Sequence, residues 1–482
     1  MAIKIQNYYG IDFGTTRSAT VGYSVLDHIP ECFQYGDEEG RPIPSVVAID
    51  KNTGEVFTGR AAWNKKMELS ESCQYISSVK SMLDSDFTWN INGKIWTPVT
   101  VAAELFKTLK NNVLKRTCAE LDSATVAIPI GFSSIKRNKL REAANLAGIT
   151  INSFISEPTA AFFANYNELK SSSIVAVFDW GGGTLDCSVL QHVKGKVSEL
   201  ATAGRNVAGD YIDNKIAQRI HAKIARKKGL EIPFLDMPSS AQDMLRVRAE
   251  RAKRSLGDDD TATISINNYG SYGVCRETMD YDWFADIVEP EVKMAMECLE
   301  EAIQQSGVGI ANIDRIVLVG GSSNLRPLLE QMDAKYGDKL FFPEETMWNV
   351  GQGAANLAMT PGDYYSNQSV GVWLSDNSYF ELLPKDTKLK NWSSTCRFGI
   401  IDTSREARFV FGGSQDIETS SDKFKILEIP AYRFLQEQIE VKAVVDQDMI
   451  FKVIAGSTMR ESSYRRVWEY SQLKCYYKLP ED

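Results

Sequence analysis

Gly10-Ile11-Asp12-Phe13-Gly14-Thr15-Thr16 and Phe178-Asp179-Trp180-Gly181-Gly182-Gly183-Thr184 carry nearly the same message twice. Each places an aspartate at the end of an apolar run, then glycine and threonine, then a second apolar run. Glycine lets backbone N–H groups turn toward an anion. Threonine adds a hydroxyl, and the aspartate can hold a cation. Two such hairpins facing each other would grip the phosphates and metal of a nucleotide from both sides.

One hairpin of this kind is most often a plain β-turn. The second copy, and the glycine pair Gly320-Gly321 that with Ser322 follows an apolar run at Arg315–Val319, weigh against that reading. The order G-x-x-x-x-G-K-[ST] is absent, which sets aside a P-loop enzyme. Gly351-x-Gly353 lacks the third glycine and the preceding strand of a dinucleotide fingerprint.

Working outward, the N-terminal three quarters alternates strand-like and helix-like patterns. Strands are expected at Tyr8–Asp12, Ala19–Ser24, Val46–Asp50, Thr125–Pro129, Ile174–Asp179, Leu185–Gln191 and Arg315–Val319. Ser133 can cap a helix over 134–147, with Ile135, Leu140 and Ala144 as its apolar stripe and Gly148 as its stop. Pro158 suits the first position of a helix over 159–166. Leu245, Ala249, Ala252 and Leu256 recur at helical spacing. The two halves of this region echo each other, and an internal duplication around a cleft is expected. After the turn-rich Thr360-Pro361-Gly362-Asp363 the texture changes. Ile439, Val441, Ala443 and Val445 alternate with Glu440, Lys442 and Val444, the mark of an antiparallel β-domain of about 110 residues, a usual size for one domain. The expected organisation is therefore an α/β domain over 1–362, a linker over 363–369 and a β-domain over 370–482.

The chain has 482 residues, more than one growing core holds, and a net charge of −9. That balance argues against a broad nucleic-acid or anionic-membrane surface. The N-terminal stretch, with Lys4 but no apolar region, does not read as a signal peptide, and no apolar run is long enough to span a bilayer. Eight scattered cysteines without a C-x-x-C pair read as reduced thiols of a cytoplasmic protein. Three histidines, His28, His192 and His221, stand in no metal-ligand spacing, which argues against zinc.

The stretches Gly10–Ser18, Ser156-Glu157-Pro158-Thr159-Ala160-Ala161, Phe178–Ser188, Ala208-Gly209-Asp210-Tyr211-Ile212-Asp213, Glu250-Arg251-Ala252-Lys253-Arg254-Ser255-Leu256 and Val317–Ser322 together resemble those of the seventy-kilodalton heat-shock chaperones of the DnaK type. The likeness continues, more weakly, at Leu383-Pro384-Lys385-Asp386-Thr387 and Gln438-Ile439-Glu440-Val441. It implies a duplicated, two-lobed actin-like ATPase domain followed by a peptide-binding β-sandwich, and ATP/ADP as ligand with Mg2+ and K+.

The resemblance also implies roles. Asp12 and Asp179 would hold hydrated Mg2+, and Asp186 would bind a cation or water. Gly14, Thr15, Thr16, Gly181, Gly182, Gly183 and Thr184 would contact phosphates. Lys80 would steady the γ-phosphate and the attacking water, and Glu157 would orient water or metal. Gly209, Glu250, Lys253, Arg254, Gly320, Gly321 and Ser322 would line the rest of the nucleotide site. The implied partners are ATP, extended peptide segments or a protein client, and a co-chaperone or exchange factor; neither nucleic acid nor membrane is expected.

Departures accompany the matches. Arg17 stands where the family has asparagine, Gly257 replaces a serine, Asn324 replaces an arginine, and Ala208-Gly209 replaces a glycine pair. The phosphate and metal chemistry is expected intact and the adenine contacts altered. The segment 364–370 is polar and aromatic where the family has an apolar, aspartate-flanked linker, and a lidless β-domain is expected. Two further readings stay open: a nucleotide-gated adaptor with little hydrolysis, and a small-molecule kinase of the same superfold.

Overall fold

A computed structural model describes residues 7–26, 29–67, 72–374, 376, 378–399, 406–413, 425–431, 437–459, 465–470 and 473–480. Lys4 and His28 lie outside the described residues. The chain divides into two compact units, Met1–His192 with Leu200–Met359, and Val193–Glu199 with Thr360–Asp482.

In the first unit, the strand Asn7–Phe13 runs antiparallel to Arg17–Leu26 and parallel to Ser123–Ile128, which is parallel to Thr150–Ser156. The strand Ile174–Trp180 repeats the pattern: it is antiparallel to Leu185–Val193 and parallel to Arg315–Val319. Asp12 is level with Ala127 and Asp179 with Val319, so both aspartates sit at the same end of equivalent strands. The inner strands are continuous apolar runs, as strands covered on both faces require. Each sheet carries its own core. Phe13 stacks on Phe106 at 4.6 Å in one, and Phe178, Trp180, Ile212, Leu245 and Phe284 pack together in the other.

Helices are cut where local chemistry ends them. Ser133 caps Ser134–Leu146 by accepting from the Lys136 N–H, and Gly148 follows at φ +70°. Its buried face is Leu140, Ala143 and Ala144, whereas Ile135 is 58% exposed. Five residues from Leu140, Ile135 is rotated well off the stripe shared by positions four apart. Pro158 falls at the second position of its helix, Glu157–Ala164, whose cap is Ser156. The helix Asn349–Met359 lies against that helix and against the first strand. A Cβ on Gly353 would stand 1.7 Å from the Ala160 carbonyl oxygen, and one on Gly10 would stand 2.2 Å from the Ala355 nitrogen. Gly351-x-Gly353 is thus part of a close-packing surface.

The second unit holds two four-stranded antiparallel sheets. One orders Tyr379–Leu383, Val370–Trp373, Glu406–Gly413 and Lys425–Pro430; the other orders Ser393–Gly399, Gln438–Val445, Phe451–Ser457 and Arg466–Tyr470. They share one core, in which Val372, Phe411, Ile439, Val441, Ala443 and Phe451 are fully buried. Where a linker is expected at 363–369, Asp363–Ser366 forms a strand antiparallel to Cys475–Lys478. The other edge of Cys475–Lys478 pairs with residues 196–198. Tyr365 stacks on Tyr476 at 5.4 Å, Tyr364 meets Tyr477 edge-on at 5.1 Å, and Lys196 lies 3.6 Å from the Tyr476 ring centroid. Tyrosines favour strands, so a stretch that reads as polar closes as a sheet. Among the described residues, no helix is long and apolar enough to cross a membrane.

Candidate functional site: two opposed glycine–threonine loops

Backbone bonds fix the first loop where the strand Asn7–Phe13 turns back. Ser45 donates its hydroxyl to the Gly14 carbonyl at 2.8 Å, and its N–H donates to Thr16 O at 2.8 Å. The second loop, between Trp180 and Leu185, is closed by Gly181 N–H donating to Thr184 O at 3.0 Å. Its outward carbonyls are then used. Gly181 O accepts from Gly209 N–H at 3.1 Å and from the Ser322 hydroxyl at 2.7 Å, and Gly182 O accepts from Asp210 N–H at 2.8 Å. The start of the helix Gly209–Lys228 and the Gly320-Gly321-Ser322 turn thereby converge on one loop.

The two loops face each other at contact distance. A Cβ on Gly182 would come within 2.4 Å of Thr16 Oγ1, and one on Gly183 within 3.1 Å of Thr15 Cβ. Gly320, at φ +83°, brings its backbone beside Asp179, where a Cβ would stand 2.6 Å from the carboxylate. At Gly320 the positive φ and the close backbone approach require glycine, whereas Gly182 and Gly183 leave the facing threonines no room for a further side chain without a shift.

Below the loops lies a set of charges. Lys80 is 5% exposed and donates to Glu157 Oε1 at 2.8 Å. Burial pushes the Asp12 carboxyl up to about 7, with repulsion from Glu157 adding and Lys80 opposing. Burial also pushes Asp186 up to about 6, again with Glu157 adding, while a hydrogen bond from Thr184 and the Lys80 charge oppose. Asp179 is held well above the usual carboxylate range by burial, then by Glu157, Asp186 and Asp12. Burial works against the Lys80 ammonium, but Glu157 and Asp12 hold it above the ordinary lysine range. Four carboxylates around one ammonium form a site short of positive charge. Its oxygen donors fit a hard divalent cation such as Mg2+, which keeps several waters and needs only one or two protein carboxylates beside phosphate. Among the described residues, no three acidic, cysteine or histidine side chains converge as direct ligands of an ion.

The helix Ser239–Ser255, which Arg17 of the first loop's strand reaches through Glu250, carries Glu250, Lys253 and Arg254. Arg254 pairs with Glu250 at 2.7 Å, as one turn of helix allows, and Lys253 pairs with Asp213 at 2.8 Å. Lys253 also reaches the Gly209 carbonyl at 3.4 Å, which ties this helix to the start of the helix whose Gly209 N–H bonds the second loop. Asn324 donates to the Thr346 hydroxyl at 3.2 Å.

Ser45, Asp210 and Asp213 were not singled out from the sequence. The spacing Asp210-x-x-Asp213 at the start of a helix puts both acids on one face, a signal that was present. Asp210 accepts from Thr16 at 3.2 Å. Ser45 stands in a chain segment with no motif, and only the fold brings it under Gly14.

A sequence model of the family described as Hsp70 protein matches residues 79–355, which include Lys80, Glu157, the second loop, the helix bearing Glu250 and the Gly320-Gly321 turn. The match spans more than half of the 482 residues. With the repeated strand pattern of the first unit, it assigns the mixed α/β fold to the actin-like ATPase class: the chain is a member of the Hsp70 protein family.

Proposed function

We propose that the chain binds ATP between the two glycine–threonine loops, hydrolyses it slowly to ADP and phosphate, and couples the nucleotide state to its β-rich unit. The family is one of nucleotide-binding chaperones whose members are ATPases that take peptide clients and co-chaperones. The observation that carries the reading is the buried Lys80–Glu157 pair set among Asp12, Asp179 and Asp186, directly beneath two loops in contact.

Phosphoryl transfer asks a protein chiefly for positioning and charge neutralisation. Thr15, Thr16, Thr184 and the backbone of Gly14 and Gly181–Gly183 hold the phosphate chain. The Lys80 ammonium, fixed by Glu157, sits where negative charge grows on the γ-phosphoryl oxygens as the bond to ADP breaks and the bond to water forms. Glu157 accepts a hydrogen bond from the attacking water. Asp12, Asp179 and Asp186 would hold hydrated Mg2+, which supplies charge neutralisation to the phosphate chain. Gly209, Gly320, Gly321 and Ser322 shape the far wall, and Glu250, Lys253 and Arg254 take the nucleoside. In this reading the first unit is two-lobed, and the two four-stranded sheets of the second form a β-sandwich that takes extended peptide segments.

One observation favours a second reading, a nucleotide-gated adaptor with little hydrolysis or client binding: Asp363–Ser366 is committed to a strand with Cys475–Lys478. Phosphate release by the full chain separates the two. Slow release that stops when Mg2+ is chelated supports the ATPase, whereas ATP binding without release supports the adaptor.

A further inference from the structure

Arg17 follows Thr16 directly and begins the strand that leaves the first loop. Its guanidinium is mostly buried, with a side-chain exposure of 24%, and it reaches across to the helix Ser239–Ser255. There it stands 3.6 Å from Glu250, beyond a normal hydrogen bond, while Arg254 holds the same carboxylate at 2.7 Å. One carboxylate therefore serves two guanidinium groups, and Arg17 has the weaker claim. Its Nη1 donates to the Pro42 carbonyl at 3.3 Å. Asp37 lies on the favourable side of its surroundings, and Arg254 and Arg60 on the unfavourable side. A neutral amide would satisfy the Pro42 carbonyl without removing a cation from water. The guanidinium fork, however, matches a phosphate in two hydrogen bonds.

We propose that Arg17 is a phosphate-contacting specificity residue that exchanges Glu250 for the phosphate chain when a nucleotide binds. This rests on the reading of the two loops as a nucleotide site. When the ribose hydroxyls take Glu250, Arg17 is displaced. A nucleoside offers it nothing in return, whereas a di- or triphosphate offers oxygens next to Thr15 and Thr16. The pair thus selects for phosphorylated ligands by penalising those without phosphate, in addition to attracting those with it.

Calorimetric titration of the full chain with ATP and with adenosine, for wild type, Arg17→Gln and Arg17→Lys, tests the assignment. Arg17→Gln is expected to weaken ATP about tenfold or more, the scale of a hydrogen bond to a charged group. Adenosine should bind the same variant as well as wild type or up to about fivefold tighter, the scale of a partly exposed ion pair. Arg17→Lys, which keeps the charge but not the fork, should lose less ATP affinity than Arg17→Gln while leaving adenosine within about threefold of wild type. An equal loss of both ligands in Arg17→Gln would mark a merely structural residue and overturn the proposal, as would no change in either. If Arg17→Gln does not fold, a Lys variant that loses ATP affinity in proportion to adenosine affinity overturns it equally. Failure of wild type to bind ATP at all would instead overturn the nucleotide reading, and the exchange with it.

Discussion

Lys80 is held at 2.8 Å from Glu157, and each of the three nearby aspartates is pushed upward chiefly by burial. Such a site is arranged for a ligand at some cost to the empty fold. Asp12→Asn removes one recessed carboxylate and should raise the midpoint of thermal unfolding of the nucleotide-free first unit by about 1–2 °C, the equivalent of about 1 kcal/mol at its size. The same variant should lose the stabilisation that ATP with Mg2+ gives wild type. Thermal melts with and without ligand check both signs. His192 offers a pH test away from the site. It is 8% exposed, packs on Phe162 at 5.2 Å and Tyr166 at 5.7 Å, and burial holds its imidazole below the ordinary histidine range. A depressed folded value means that the neutral ring's contribution is complete above the unfolded value, about 6.5, and is lost as pH falls through the lower folded one. His192→Leu should therefore lose less stability than wild type between about pH 7 and pH 5 in urea melts.

At the element scale, the helices Asn349–Met359 and Glu157–Ala164 approach each other closely at Gly353 and Ala160. Gly353→Ala drives a methyl into the Ala160 backbone and should cost about 3 kcal/mol, read by chemical unfolding. Because Glu157 starts the helix that would be displaced, phosphate release should fall with it. The strand and helix patterns of the first unit were legible because continuous apolar runs, a serine cap and glycine stops each have one structural meaning. The strands at Val46–Asp50 and Arg315–Val319 agree with the expected bounds. The expected site residues Asp12, Lys80, Glu157, Asp179 and Gly320 are brought together. Two things were hidden. Asp363–Ser366 looked like a linker because its partners, Cys475–Lys478 and residues 196–198, are remote in sequence. Arg17 read only as a departure from a pattern, since its meaning depends on Glu250, more than two hundred residues away along the chain.

For the whole molecule, the division into units does not follow chain order, because residues 193–199 belong with 360–482. Ending the chain before Cys475 would leave Asp363–Ser366 without its partner strand, and limited proteolysis should then cut at Tyr364 or Tyr365 faster than in the full chain. Unchanged protection there would show that the pairing contributes little. In the other unit, the role proposed for the opposed loops and the Lys80–Glu157 pair is ATP hydrolysis. Single-turnover hydrolysis of prebound ATP tests it most directly, comparing wild type with Lys80→Ala and Asp179→Ala. The expected result is hydrolysis by wild type at least about a hundredfold faster than by Lys80→Ala, the usual scale for losing one preorganised charge-stabilising group. Asp179→Ala should be similarly slow, with ATP still bound by the lysine variant. Wild type no faster than either variant would contradict the claim.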